Sequence, residues 1–435
     1  MLRSFRVTNH RSIRAEQELQ LTPVYDKTRP VLPIAAIFGA NAAGKSNLLD
    51  ALRFMQHAVR RSYAEWEPGT GIPRAPFALD PAAAYEPSVF VVELLLDGVR
   101  HIYGFEIDDE RVREEWLYAY PHNRRRVIFD REGQQIRLGS TLADNRSKGA
   151  LLAELTRDNA LFVTVAAHAN LADVMPLYGW FRTGVTTVDA DHQADHETLV
   201  NRLLPTAPER EAVIALLRAA DLGISDVIVD PSYAQLIDEV AKVRRDLVEA
   251  ERTSESRAQT KLLLERLNSI PSPLRFVHDE TGAVLDLNEQ SHGTRVWMAM
   301  IDHLLDVLKD GHVLAIDEID SGLHPRLTVR LIELFKNPAS NKHSAQLVVT
   351  SHDATLLGRE LGEDILPRDA VWFVKKDRKG ETSLYALADF KPRKDENTER
   401  RYLFGSYGAV PRLFDVEFED AIRLHEDLVG GRVAS

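Results

Sequence analysis

Short, mainly apolar runs of strand length punctuate the chain at residues 33–38, 313–316, 346–349 and 371–374. Runs of this kind belong to strands covered on both faces, as in a parallel sheet. Helical spacing follows some of them. Asn47-Leu48-Leu49-Asp50-Ala51-Leu52-Arg53-Phe54-Met55 opens an amphipathic helix, and Trp297, Ile301, Leu304, Leu305 and Leu308 mark another behind Glu289-Gln290-Ser291-His292-Gly293-Thr294-Arg295. Elsewhere the pattern is that of hairpins: residues 89–96 and 99–107 flank Asp97-Gly98, a strong two-residue turn. Glu132-Gly133 predicts a second hairpin, and Thr281-Gly282 a third between residues 274–278 and 283–287. From about 186 to 272 the reading is mostly helical. Leu236, Val240, Val243 and Leu247 keep 4-3-4 spacing, Thr253-Ser254-Glu255-Ser256 interrupts, and Leu262, Leu263, Leu264 and Leu267 resume it. This predicts a short arm, far too brief for a long coiled coil.

The polar residues after the strands carry the chemistry. Gly39-Ala40-Asn41-Ala42-Ala43-Gly44-Lys45-Ser46 stands between a strand and a helix, with Asn47 next. In that context small residues let backbone N–H groups wrap a β-phosphate, Lys45 reaches the β- and γ-phosphates, Ser46 offers a hydroxyl to magnesium, and the helix N-terminus adds its dipole. The alternative is a chance Gly-rich turn before a helix. Far down the chain, the run 313–316 ends in Asp317-Glu318. Asp317 suits magnesium held through its water shell, and Glu318 suits polarisation of the water that attacks the γ-phosphate. Asp-Glu pairs also simply end buried strands, but here Asp320-Ser321-Gly322-Leu323-His324-Pro325 follows, and then a strand ending in Thr350-Ser351-His352-Asp353. That order makes His352 a candidate contact for the γ-phosphate.

Ser291 and Gly293 stand at the N-terminus of the helix marked by Trp297, with Thr294 beside them. A helix end attracts anions, and this one lies outside the phosphate loop, so its natural partner is a γ-phosphate bound by another copy of the chain. An ordinary Ser N-cap without a ligand is the alternative.

The series resembles an ABC-type ATPase of the SMC and RecF kind. Residues 39–46 match Walker A, Ser291 to Thr294 a degenerate signature, residues 313–318 Walker B, Ser321 to His324 the D-loop, and His352 the switch histidine. The opening Phe5-Arg6-Val7-Thr8-Asn9-His10-Arg11-Ser12-Ile13 resembles the first strands of this group. From residue 1 to about 412 the chain is similar to the AAA-labelled ATP/GTP-binding family that includes RloA and the ATPase of AbiL-type abortive-infection systems. The segment Glu399-Arg400-Arg401-Tyr402-Leu403-Phe404-Gly405-Ser406-Tyr407-Gly408-Ala409-Val410-Pro411 resembles that family's ending.

The resemblance implies an α/β fold: a split P-loop NTPase, the ABC/SMC-like ATPase head, with an antiparallel β subdomain and an inserted helical subdomain. The expected regions are 1–185, an N-terminal ATPase lobe; 186–272, a helical insertion with the short arm; 273–390, a C-terminal ATPase lobe; and 391–435, a C-terminal extension. It also implies an ATPase using ATP and Mg2+, sandwiched as a homodimer or higher oligomer around nucleotide, serving antiviral defence with a separate nuclease or toxin as effector. Ser291-His292-Gly293-Thr294 departs from the Leu-Ser-Gly-Gly of transporters while keeping the Ser-x-Gly core. The Q-loop position falls to His168 or Asn170, after the apolar run 160–165. Guanine reading has little support, because Asn341-Lys342-His343-Ser344 lacks the terminal Asp of the usual tetrad.

Composition narrows the setting. The chain has 435 residues, 44% of them hydrophobic and 28% charged, enough for one large core or two moderate ones. The absence of Cys excludes a disulfide scaffold, a thiol nucleophile and a zinc-thiolate site. With no signal-type or membrane-spanning apolar stretch, the chain reads as soluble and cytoplasmic. A net charge of −12 argues against a uniformly basic DNA-wrapping surface, though nucleic acid at a local groove stays open. His192 and His196, four apart among carboxylates, lack a third fixed ligand and read as a solvated helix start rather than a metal site. Arg124-Arg125-Arg126 reads as a solvated sheet edge, Trp116 and Tyr118 as packing residues, and Lys375-Lys376-Asp377-Arg378-Lys379-Gly380 as a solvent-facing turn. Beyond His352 no apolar strand ends in Asp-x-Asp, so a nuclease would be a separate chain. Two other functions share these residues: a RecF-like repair ATPase that clamps DNA, and a weakly hydrolysing scaffold that sequesters a toxin.

Overall fold

In the computed structural model of the chain, the apolar runs lie side by side. The structure describes residues 1–140, 146–188, 196–204, 206–230, 272–278, 281–361, 365–393 and 396–411, with isolated positions at 243, 246, 417, 419–423 and 425. The strands in order are β1 (Leu2–Thr8), β2 (Gln17–Gln20), β3 (Ile34–Gly39), β4 (Ser88–Leu96), β5 (Val99–Ile107), β6 (Val112–Tyr120), β7 (Arg126–Glu132), β8 (Gln135–Leu138), β9 (Val185–Val188), β10 (Ile224–Val229), β11 (Leu274–His278), β12 (Val284–Asp286), β13 (Val313–Ile316), β14 (Gln346–Ser351), β15 (Val371–Lys376) and β16 (Thr382–Ala386). The helices are α1 (Lys45–Glu65), α2 (Arg146–Leu155), α3 (Phe162–His168), α4 (Met175–Thr183), α5 (His196–Leu203), α6 (Arg210–Ala219), α7 (His292–Asp310), α8 (Pro325–Lys336) and α9 (Thr398–Leu403).

Among the described residues these strands form three sheets. The central one runs β16-β15-β3-β14-β13-β9, with every pairing parallel except β15 to β16. Ile34, Ala36 and Phe38 of β3 enter one core while Ala35 and Ile37 enter the other, so alternate residues of a wholly apolar strand serve two faces. On one face α1, α3 and α4 lie between the central sheet and an antiparallel sheet ordered β2-β1-β4-β5-β6-β7-β8. On the other, α7, α8 and the three-stranded sheet β10-β11-β12 share a second core. This is the split α/β head expected from the sequence, with its antiparallel subdomain built around the Asp97-Gly98 hairpin. Both turn residues there adopt positive φ, 48° and 76°, as a two-residue hairpin loop requires.

Several boundaries move. The border at 185/186 falls inside β9, which pairs with β13 at the edge of the nucleotide-binding sheet. Within 186–272 the described residues include strand β10 as well as α5 and α6. The proposed arm and the Asp189–Glu197 cluster lie outside the described residues, except that Val243 is helical and buried and that His196 begins α5. The extension past 390 joins the core: Tyr402 and Tyr407 stack on Phe373 of β15 with ring centroids 5.6 and 4.9 Å away. Trp116 lies over Gly104, Tyr118 donates to Asp130 beneath Arg125, and Arg126 pairs with Asp173 at 2.6 Å. Among the described residues no helix is long and apolar enough to cross a membrane.

A buried charged pair joins the antiparallel sheet to α3. The Glu115 carboxylate accepts from the backbone N–H of Phe162 at 2.6 Å and of Val163 at 3.0 Å, and from the Tyr103 hydroxyl at 3.1 Å. Arg131, 3.6 Å from Glu115, donates to the carbonyls of Gly133, Arg157, Asp158 and Ala160. Burial raises the Glu115 carboxyl and lowers the Arg131 guanidinium, each against the pull of the other's charge. Removing one partner strands the other, so Arg131→Met should lower the unfolding free energy by about 3–5 kcal/mol in urea titrations. A loss below about 1 kcal/mol would show that the pair does not secure this junction.

Candidate functional site

The loop between β3 and α1 bends where its residues allow. Gly44 precedes α1 with φ 104°, and a Cβ there would come within 2.2 Å of the Thr382 hydroxyl, so the position accepts only glycine without displacement. Ala42 takes φ 59°, the left-handed region that side chains avoid. The resulting cleft, about 650 Å³, is lined by Asn41, Ala42, Ala43, Gly44, Lys45, Ser46, Asn47, Glu318, His352 and Lys376. Gly39 and Ala40 lie behind it. Their carbonyls accept from Lys45 Nζ at 2.9 and 3.2 Å instead of facing a ligand.

Sheet order brings the distant residues here. β14 pairs with β3 on one side and β13 on the other, so His352 and the Asp317-Glu318 pair emerge beside the loop. Lys45 Nζ lies 3.2 Å from His352 Nδ1, and His352 Nε2 lies 3.4 Å from Glu318 Oε1. An ammonium can only donate, so Nδ1 accepts and the ring's proton faces Glu318. Burial lowers the Lys45 ammonium, while the charges of Glu318, Asp317 and Asp320 act to raise it. Lys45 is only 5% exposed, a cation held among carboxylates and dipoles.

Thr350, to which no motif in the sequence points, links the two carboxylate residues. Its buried hydroxyl donates to Asp317 Oδ1 and accepts from the Glu318 backbone N–H at 2.7 Å. Glu318 itself has φ 52°, a non-glycine residue in the left-handed region beside the cleft. Asp320 accepts from the His352 backbone N–H at 3.2 Å. Three further residues have sequence signals only in hindsight. Ser12, in the turn after β1, and Thr382 and Lys376, on β16 and β15, lie around the loop from positions remote in sequence, and the turn expected to be solvent-facing places Lys376 in the cleft.

The expected signature lies elsewhere on the chain. Ser291 caps α7, its hydroxyl accepting from the Thr294 N–H at 3.1 Å. Thr294 is buried, with its own hydroxyl 2.9 Å from Ser291 Oγ. Ser291 and His292 are exposed, while Gly293 packs so closely on the D-loop that a Cβ would lie 2.5 Å from the Gly322 carbonyl. None of these residues lines the cleft of its own chain. His324 accepts from the Arg326 N–H as the cap of α8. Neither expected Q-loop candidate reaches the cleft: His168 ends α3 against Tyr63 and Tyr178, and Asn170 follows in a left-handed turn. Among the described residues no cluster of three or more His, Cys, Asp or Glu could hold a metal by itself.

A family model described as "AAA domain, putative AbiEii toxin, Type IV TA system" matches residues 34–358. Among solved structures the chain is similar to the SMC head domain from Thermotoga maritima, at 12% identity and TM-score 0.38, covering 88% of this chain and 98% of that one. It is also similar to the Smc head domain with an extended coiled coil bound to the C-terminal domain of ScpA derived from Pyrococcus furiosus. That match has 13% identity and TM-score 0.40, covering 90% of this chain and 97% of the other. No curated protein matches the chain. The matched span begins at the first residue of β3 and runs past His352, taking in the loop and both carboxylates, and the chain therefore belongs to this family of AAA-domain P-loop ATPases.

Proposed function

We propose that this chain is an ATP-hydrolysing switch of the ABC/SMC type that binds ATP with Mg2+, closes as a dimer around two nucleotides and controls a separate effector in a prokaryotic antiphage system. The observation that carries the reading is the convergence of Lys45, His352 and Glu318 on one cleft floored by residues 41–47. Backbone N–H groups at the start of α1 offer donors and a partial positive charge to phosphate oxygens. Lys45 gives up carbonyl contacts at Gly39 and Ala40 for charged ones, a stronger hydrogen bond in a poorly solvated site.

Ser46 in the cleft and Asp317 at the end of β13 are hard oxygen donors, and that donor set fits Mg2+ better than a softer metal. When bound, the ion draws negative charge from the phosphate oxygens. Glu318 receives the proton of the attacking water, its backbone fixed by Thr350. His352 is placed to exchange its contact with Lys45 for one with the γ-phosphate. Ser291 and Gly293, absent from their own cleft and partly exposed at the start of α7, suit a phosphate held by the second copy. The family's description, which speaks of a type IV toxin–antitoxin system, supports a defence setting with a nuclease or toxin as effector.

Lys45→Ala should weaken ATP binding at least thirtyfold by calorimetry, matching the roughly 2 kcal/mol lost when one partner of a buried charged pair is truncated. Glu318→Gln should retain binding but slow phosphate release by about 10²–10⁴-fold, the range for a positioned general base. Unchanged turnover would remove Glu318 from that role. With ATP the Glu318→Gln chain should elute at twice its monomer mass. Adding Ser291→Asp keeps an equally good helix cap while setting a carboxylate against the partner's phosphate, so the double variant should stay monomeric. A dimer unaffected by Ser291→Asp would contradict the sandwich.

A further inference from the structure

We propose that Lys376 is a second phosphate-binding lysine, delivered to the nucleotide by the β15–β16 hairpin. The inference rests on the ATP reading of the cleft given above. Lys376 lines that cleft together with the loop, Glu318 and His352. β15 runs parallel to β3 with Val374 opposite Gly39, so Lys376, two residues further on, overhangs the loop that begins at Gly39. His352 arrives on the opposite side of β3, from β14. The phosphate chain is thus approached by Lys45 from below and by cleft groups from both neighbouring strands.

The hairpin is fixed to the loop, which gives the lysine a defined position. The cross-strand partner of Lys376 is Thr382, a buried residue. Thr382 Oγ1 donates to the Ala43 carbonyl at 2.8 Å and lies 2.7 Å from Ser12 Oγ, while its backbone N–H donates to the Ser12 carbonyl at 2.8 Å. Asn47, at the first turn of α1, donates to the same Ser12 hydroxyl. Displacing the hairpin would therefore strip buried hydrogen bonds from the phosphate loop itself.

A lysine at a strand end often serves only to discourage edge pairing. That account does not cover this lysine, which is paired through Thr382 on the β16 side and on the other side, past the last β3 pairing at Val374, lines the cleft. Alternation along the strand also separates two adjacent lysines. Lys375 lines a different cleft on the opposite face, with Nζ 5.3 Å from the centre of the Tyr385 ring. Among the described residues no carboxylate forms an ion pair with Lys376, whereas the Walker B side of the cleft carries Asp317, Glu318 and Asp320. A compact ammonium on a flexible stem suits phosphate oxygens that change position during turnover.

The test compares the full-length wild-type chain with Lys376→Ala, Lys376→Arg and Lys375→Ala, using a fluorescent ATP analogue with Mg2+ at two salt concentrations. Lys376→Ala should weaken binding by about tenfold, the effect of one charge-assisted hydrogen bond, and flatten its salt dependence. Lys376→Arg should restore most of the affinity, and Lys375→Ala should match wild type. Equal affinity of wild type and Lys376→Ala overturns this inference alone. A loss that Lys376→Arg does not recover, accompanied by a lowered melting temperature, overturns it as hairpin distortion. Failure of the wild-type chain to bind any nucleotide overturns the ATP reading and this inference with it.

Discussion

The Lys45 ammonium, buried between the carbonyls of its own loop and the imidazole of His352, is the contact on which the rest of the site depends. Its charge must be kept in a place that water hardly reaches. The chain meets that demand by setting Asp317, Glu318 and Asp320 near it, whose charges oppose the lowering that burial imposes on the ammonium. Burial there favours the neutral amine, and the carboxylates favour the ammonium that meets a phosphate.

Keeping these groups together requires the central sheet. Lys45 follows β3, Glu318 follows β13 and His352 follows β14, and only the parallel order β3-β14-β13 sets their ends side by side. Connections between parallel neighbours must cross over, so long stretches of chain are placed between the halves of the site. The antiparallel sheet is one such stretch, packed on α1, and the sheet β10-β11-β12 behind α7 is another. The insertion is therefore structural support as much as separation. Thr350 shows how finely the sheet controls the chemistry: one buried hydroxyl on β14 positions both the side chain of Asp317 and the backbone of Glu318.

What could be read from the sequence was what local physics dictates. The loop 39–46 declares itself because backbone wrapping of phosphate needs small residues before a lysine and a hydroxyl, and the apolar runs declare strands buried on both faces. Ser291 was legible as a helix start for the same reason, though Thr294 proved to be spent on its cap. Register was not legible. Lys376 and Thr382 matter because they oppose one another across β15 and β16 while β15 lies against β3, a pairing that no local pattern encodes. β9 was missed as a strand because Val-Thr-Thr-Val is short and half polar, and only its place beside β13 makes it part of the nucleotide sheet. His168 and Asn170 were drawn to the site by their order after an apolar run that forms α3 instead.

The most direct test is an experimental structure of the chain with Mg2+ and a non-hydrolysable ATP analogue. The account predicts phosphates lying along residues 41–47, Lys45 moved from His352 to the nucleotide, and Ser291 of a second copy facing the γ-phosphate. A nucleotide bound away from Lys45 and Glu318, or a filled cleft with no second copy against it at saturating analogue, would contradict the account.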